Sequence, residues 1–279
     1  MATEQSTPST MSSEEARDDD VLPDSFSQAL EHAAAATHAA ISDGANTCLV
    51  EILLSGLWDP SSGNLFAEEG DQQRFWKITR KFVEQMAAVC GGNVKALYPD
   101  MGVAAMLRNE WQDCNFGIAA INERNACTAE DEVLIIAAAD PQGLNEARRI
   151  VADAGDRAVI LFNPRLASGD VGLGLNVRRM RNEFLSLFTV TYSLRPLGET
   201  ASVFRQYPGQ WQVFLEDAAS PGRYKKIAER SERPSSDELD ILFEDVESGA
   251  SAEEGTGGGF AGPRSVLSSL ARFMASLSK

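Results

Sequence analysis

Histidine is almost missing from this chain: 279 residues hold two, His32 and His38. They fall about 240° apart around one predicted helix and cannot converge on a single ligand. A Ser-His-Asp or Cys-His site would have to borrow one of them from that helix, so no catalytic residue is assigned. Cysteine is scarce too. Cys48, Cys90, Cys114 and Cys127 form no C-x-x-C and no zinc-like pairing, so neither a metal site nor a cofactor is expected. Reduced, buried thiols are the default, with a Cys114–Cys127 disulfide as the alternative. No apolar run approaches the length of a membrane span, which leaves a soluble or peripheral protein. No Gly-Lys-Ser/Thr occurs, and Gly172-x-Gly174 is followed by Val177 where a dinucleotide fingerprint has its third glycine. The N-terminus has no secretory apolar stretch, and its Asp18-Asp19-Asp20 run is foreign to organellar transit peptides.

Positive charge is outnumbered, with 25 Lys and Arg against 41 Asp and Glu and a net charge of -16. The excess sits in two flanks. Residues 1–24 carry seven acids and one arginine, and residues 232–254 carry nine acids and one arginine. Acidic flanks favour solubility and repel phosphate backbones, so nucleic acid is not expected as a partner.

What is present is an alternation. Residues 1–23 are polar and acidic and read as disordered. Ser25 or Asp24 caps a helix to Ser42, stopped by Asp43-Gly44. Strands follow at Cys48–Leu54, Val94–Tyr98, Phe116–Ile121, Val133–Ala138 and Ala158–Phe162. They are separated by helices from Gln72 to Cys90, from Asp100 to Trp111, and from Asp140-Pro141 to Ala154. Strands this uniformly apolar, alternating with helices, imply a parallel sheet covered on both faces. After Leu187 the pattern changes. Phe188–Leu194, Ala201–Gln206, Trp211–Leu215 and Arg223–Ala228 alternate apolar and polar residues and are joined by Gly/Pro turns, the signature of an antiparallel meander on one edge of that sheet. The expected fold is α/β: a mostly parallel, Rossmann-like sheet with helices on both faces, extended by a C-terminal antiparallel β-meander. Ser235 caps a further helix, and one domain spans residues 24–247. Residues 248–263 read as a Gly/Ser-rich linker. Residues 264–279 then form an amphipathic helix whose stripe includes Val266, Leu270, Phe273 and Leu277.

One stretch invites chemistry. After the strand at Ala158–Phe162 come Asn163-Pro164-Arg165, a loop with Gly169, Gly172 and Gly174, and a helix bearing Arg178, Arg179 and Arg181. A helix start with free N–H groups and three arginines can hold an anion. Asn163, Arg165 and Asp100 fall at strand C-termini, where ligands bind in such sheets. The plainer reading stands beside it: glycines turn the chain, Asp and Asn cap helices, and arginines solvate a helix face.

An ordered set of short motifs carries a resemblance. They are Tyr98-Pro99-Asp100; Asn163-Pro164-Arg165-Leu166; Arg178-Arg179-x-Arg181-x-x-Phe184-Leu185; Tyr192-x-Leu194-Arg195-Pro196; Tyr207-Pro208-Gly209-x-Trp211-Gln212; and Glu232-Arg233-Pro234-Ser235. Over residues 24–246 the chain resembles the plastid and cyanobacterial domain of unknown function 1995 family. That family includes a plant photosystem II accumulation factor and the C-terminal part of a chloroplast adenylate kinase. The resemblance implies a non-enzymatic accessory factor in photosystem II assembly, placed in the chloroplast stroma or on the stromal face of the thylakoid. Its partners would be photosystem II assembly proteins or subunits. It carries over no catalytic residue, and the kinase part of the fused relative has no counterpart here. On this reading Tyr207, Trp211 and the arginine helix form a partner-binding surface, and the helix at 264–279 is a tether that touches the thylakoid peripherally. The alternative is an anion- or nucleotide-binding protein or enzyme using the loop and helix from Gly169 to Arg181.

Overall fold

The computed structural model of the chain describes residues 18–53, 71–166, 179–180, 182–198 and 200–253. Gly172, Gly174, Arg178, Arg181, the linker beyond Glu253 and the C-terminal stripe of Val266, Leu270, Phe273 and Leu277 lie outside them.

Nine strands form one sheet in the order β3-β2-β4-β5-β1-β6-β7-β8-β9. The strands are β1 (Thr47–Ile52), β2 (Val94–Tyr98), β3 (Gly117–Ala120), β4 (Val133–Ala137), β5 (Ala158–Phe162), β6 (Thr189–Leu197), β7 (Ala201–Gln206), β8 (Trp211–Glu216) and β9 (Tyr224–Arg230). From β3 to β6 every neighbouring pair is parallel. From β6 to β9 every pair is antiparallel. The fold is thus a mixed α/β architecture with a mostly parallel sheet continued by an antiparallel meander. The buried runs TCLVEI, VLIIA and AVILF occupy its middle, as strands covered on both faces must.

Helices α1 (Phe26–Ser42), α2 (Asp71–Cys90), α3 (Met101–Glu110) and α4 (Leu144–Asp153) precede or join the parallel strands, and α5 (Ser236–Glu253) follows β9. The connections through α2 and α3 run toward β3, whereas those from β3 onward run back toward β6. Right-handed crossovers therefore place the two groups of helices on opposite faces. The core divides accordingly. One cluster joins Phe26 and Ala33 of α1, Phe75 and Phe82 of α2 and Leu107 of α3 to strand residues such as Val50, Ile135 and Phe162. The other joins Ala147 and Ile150 of α4, Met180 and Phe184 to Leu49, Ile136 and Leu161. Phe82 and Phe162 stack at 4.4 Å between ring centroids, both without solvent exposure; burying each ring is worth about 2–3 kcal/mol. A third, smaller cluster of Val203, Trp211 and Val213 lies under Leu239, Leu242 and Phe243 of α5.

Caps explain where helices start. Ser25 Oγ accepts from the Gln28 N–H at the start of α1, and Asp100 accepts from the Val103 N–H at the start of α3. Ser235 and Glu238 form a reciprocal capping box at α5, with the Ser235 N–H donating to Glu238 and the Glu238 N–H to Ser235 Oγ. The Asp140-Pro141 start differs from expectation. Asp140 accepts from the N–H groups of both Gln142 and Gly143, closing a side-chain turn, and the helix begins only at Leu144.

Two boundaries also differ. The acidic flank is structured from Asp18: residues Asp18–Val21 form a 3-10 helix, and Asp19 is buried. Asp19 meets Arg223 at 2.6 Å and accepts from the Tyr224 N–H at 2.8 Å, so charge pairing to β9 orders a stretch that composition alone reads as disordered. At the other end α5 runs to Glu253, into the expected linker, because SGASAE contains helix-compatible Ala and Glu around a single glycine. The alternative disulfide is excluded, since Cys114 packs against the first cluster and Cys127 against the second, on opposite sides of the sheet. Burial pushes the Cys48 thiol up to about 12, with Cys90 adding to the effect, which suits a protonated structural cysteine.

The β8–β9 turn contains an acid-sensitive contact. Lys225 meets Asp217 at 3.0 Å, and the Ala219 N–H donates to the same carboxylate. Lys225 first, then that N–H, holds the Asp217 carboxyl below its ordinary range. A depressed native pKa contributes stability above the unfolded value of about 4 and loses it as pH falls through the native one. Asp217→Asn is expected to flatten the loss of stability below about pH 4, measured as urea midpoints between neutral and acid pH; an unchanged acid limb would contradict this.

Candidate functional site

The C-terminal edge of the parallel strands is the natural place for a site. The polar side chains there are engaged with the backbone. Asp100 caps α3, and Asp140 closes its turn. Asn163, 4% exposed, follows β5 with φ +44°, a left-handed conformation that asparagine tolerates better than other non-glycine residues. Its side chain crosses to the end of β1, where Oδ1 accepts from the Ile52 N–H at 2.7 Å and Nδ2 donates to the Ile52 carbonyl at 3.3 Å. Connections leave β1 and β5 toward opposite faces, which would open a crevice; the amide of Asn163 bridges it. Arg165 is half-buried, its guanidinium pulled below its ordinary pKa by burial and partly restored by Asp140. Arg179 is exposed and pairs with Glu183 at 2.7 Å, one turn along the same helix. Of the expected anion residues, the structure therefore brings Asn163, Arg165 and Asp100 to one edge, gives Asn163 and Asp100 structural hydrogen bonds, and turns Arg179 outward.

The two aromatic residues expected to face a partner separate. Tyr207 is partly exposed and donates from its hydroxyl to Asp43 at 2.9 Å. It lines an open cavity of about 370 Å³ together with Val21, His32, Gln206, Pro208 and Gln212. Trp211 is only 2% exposed and so offers no contact surface. It points to the other side of the sheet, into the cluster under α5, because an inward position on β8 alternates with the outward Gln212. The histidines diverge as their spacing requires: His32 borders that cavity, whereas His38 Nδ1 lies 3.8 Å from Cys90 Sγ.

Trp211 belongs instead to a transverse row that runs across the sheet. Glu51 of β1 pairs with Ser193 of β6, and Ser193 with Arg205 of β7. One step beyond the Phe204–Gln212 pair, Arg205 faces Trp211 of β8, which is itself opposite Arg230 of β9. Over this row folds Arg233, from the segment after β9. It reaches Glu51 at 3.0 Å and places its guanidinium 5.2 Å from the Trp211 ring centre; Arg205 lies 5.5 Å from the same ring. Glu51 is 5% exposed, and Ser193 Oγ donates to it at 3.4 Å. A carboxylate this buried requires a cation, and Arg233 supplies it.

Sequence reasoning missed Glu51, Ser193, Arg205 and Arg233 as a group. Two signals pointed to them: Glu51 is the one charge within the apolar run CLVEILL, and Arg233 belongs to the motif Glu232-Arg233-Pro234-Ser235. Among the described residues no group of His, Cys, Asp and Glu is arranged to hold a metal ion, and no helix is long and apolar enough to cross a membrane. In comparison with known proteins, the model of one family, described as a domain of unknown function (DUF1995), matches residues 23–241, most of the chain.

Proposed function

We infer that this chain, which belongs to the DUF1995 family, works by binding other proteins rather than by catalysis, as an accessory factor in the assembly or stability of a photosystem, photosystem II foremost. The observation that supports the binding role is the use made of the strand edge. Asp100, Asp140 and Asn163 stand where α/β enzymes present reactive groups, yet each accepts hydrogen bonds from backbone N–H groups of its own or a neighbouring loop. A carboxylate whose oxygen accepts from backbone N–H groups is engaged in capping its own loop rather than set to take a proton from a substrate. The photosystem as client is supported by the family resemblance of the motifs, and the chloroplast stroma or the stromal face of the thylakoid is the location proposed with it. Tyr207 and the cavity beside it form the aromatic part of the contact surface, and residues 264–279 act as a peripheral tether.

The test is an affinity pull-down of the tagged chain from detergent-solubilised thylakoids, with and without residues 255–279. Photosystem II subunits are expected to be enriched severalfold by the full chain and to fall toward background on truncation. Recovery of no photosystem subunit with either form would sink the reading.

A further inference from the structure

Arg205 presents an unusual electrostatic situation. Its guanidinium is half-buried, and among the described residues its only close neighbour of complementary character is the face of Trp211. Nε of Arg205 is shielded from solvent and has no hydrogen-bond partner there, and neither has Nη2 of Arg233, which stands over the same ring. Buried or part-buried cations are ordinarily answered by an anion. The single carboxylate of the row, Glu51, is 3.0 Å from Nη1 of Arg233 and also takes the hydrogen bond from Ser193, so it is committed elsewhere. In a chain with a net charge of -16, Arg205 and Arg233 thus share one ring and one carboxylate between them, on the side of the sheet away from the Tyr207 cavity.

We propose that Arg205 and Arg233 form a binding site for a small oxyanion, a carboxylate or phosphate group from outside the chain, seated beside the Trp211 ring. The guanidinium of Arg205 has the planar fork that such groups engage with two parallel N–H donors. Nη2 of Arg233 supplies a further donor while Nη1 keeps Glu51, and the indole ring centre lies 5.5 Å from the Arg205 guanidinium and 5.2 Å from that of Arg233. Burial lowers the pKa of Arg205, as expected for a cation short of a counter-ion. The site uses none of the glycine-loop residues and does not depend on the assembly role.

The experiment is isothermal titration of the full chain with inorganic phosphate and, separately, with succinate, at constant ionic strength held by sodium chloride. Saturable binding of at least one probe is expected, weakened at least tenfold in Arg205→Gln. That variant leaves the Glu51–Arg233 pair in place. If Arg205→Gln does not fold, Arg205→Lys decides the matter: it keeps the charge but loses the fork, and binding should weaken at least threefold. Absence of saturable binding of either probe to the unaltered chain, or equal affinity in the folded variant, would overturn the site.

Discussion

Arg233→Met is expected to destabilise the fold by about 3–5 kcal/mol, the usual consequence of removing one partner of a buried ion pair. The carboxylate left behind, Glu51, lies in the middle of the sheet at 5% exposure, with only the Ser193 hydroxyl at 3.4 Å to answer it among the described residues. For a domain of this size such a loss lowers the melting temperature by roughly 10 °C or more. The reason is desolvation rather than lost attraction, and a second substitution separates the two. Glu51→Gln in the Arg233→Met background removes the stranded charge and should recover at least half of the loss. A double-mutant cycle measured by urea denaturation checks this. Single substitutions that add without coupling would show that the pair contributes little and that Arg233 acts through its packing on Trp211.

Asn163→Ala is expected to cost about 3 kcal/mol, from two sources. Both hydrogen bonds to the Ile52 peptide disappear, leaving a buried N–H and carbonyl at the end of β1, worth about 1–3 kcal/mol. Alanine must also hold φ +44°, at a cost of about 1–2 kcal/mol. Asn163→Gly relieves only the second source and should be milder by about 1 kcal/mol. Asn163→Asp keeps the acceptor for the Ile52 N–H but sets a carboxylate oxygen against the Ile52 carbonyl. Chemical denaturation of the glycine and alanine variants checks the order Gly, then Ala, in increasing damage; equal loss for the two would mean that the backbone conformation relaxes without cost.

The order of strands and helices was legible because the sheet is buried on both faces. Runs such as AVILF and VLIIA are too apolar and too short for anything but interior strands. The caps at Ser25, Asp100 and Ser235 were equally readable, since each needs only its own neighbours in sequence. The chemistry at the strand ends was less so. Asn163 and Asp100 were visible as candidates, but their hydrogen bonds decide their role, and the partner of Asn163 lies more than a hundred residues away at Ile52. Trp211 shows the same limit. Its neighbourhood in the motif suggested a surface aromatic, while strand register turned it inward. The pairing of Glu51 with Arg233 was hinted at from both ends, by a lone acid in a strand and an arginine in a motif, but nothing local links residues that far apart.

β1 is an early strand placed at the middle of the sheet. Its two neighbours are β5, beginning at Ala158, and β6, beginning at Thr189. While the chain is being made, Thr47–Ile52 must therefore wait with both ladder edges open until residues more than a hundred positions later have been synthesised. Contacts of such long sequence separation are slow to form and leave strand edges exposed to neighbouring chains. The acid within TCLVEI has a second value in that interval: an unpaired Glu51 charge makes a naked apolar strand less able to stack against a copy of itself. The same carboxylate that needs Arg233 in the finished protein guards the unfinished one.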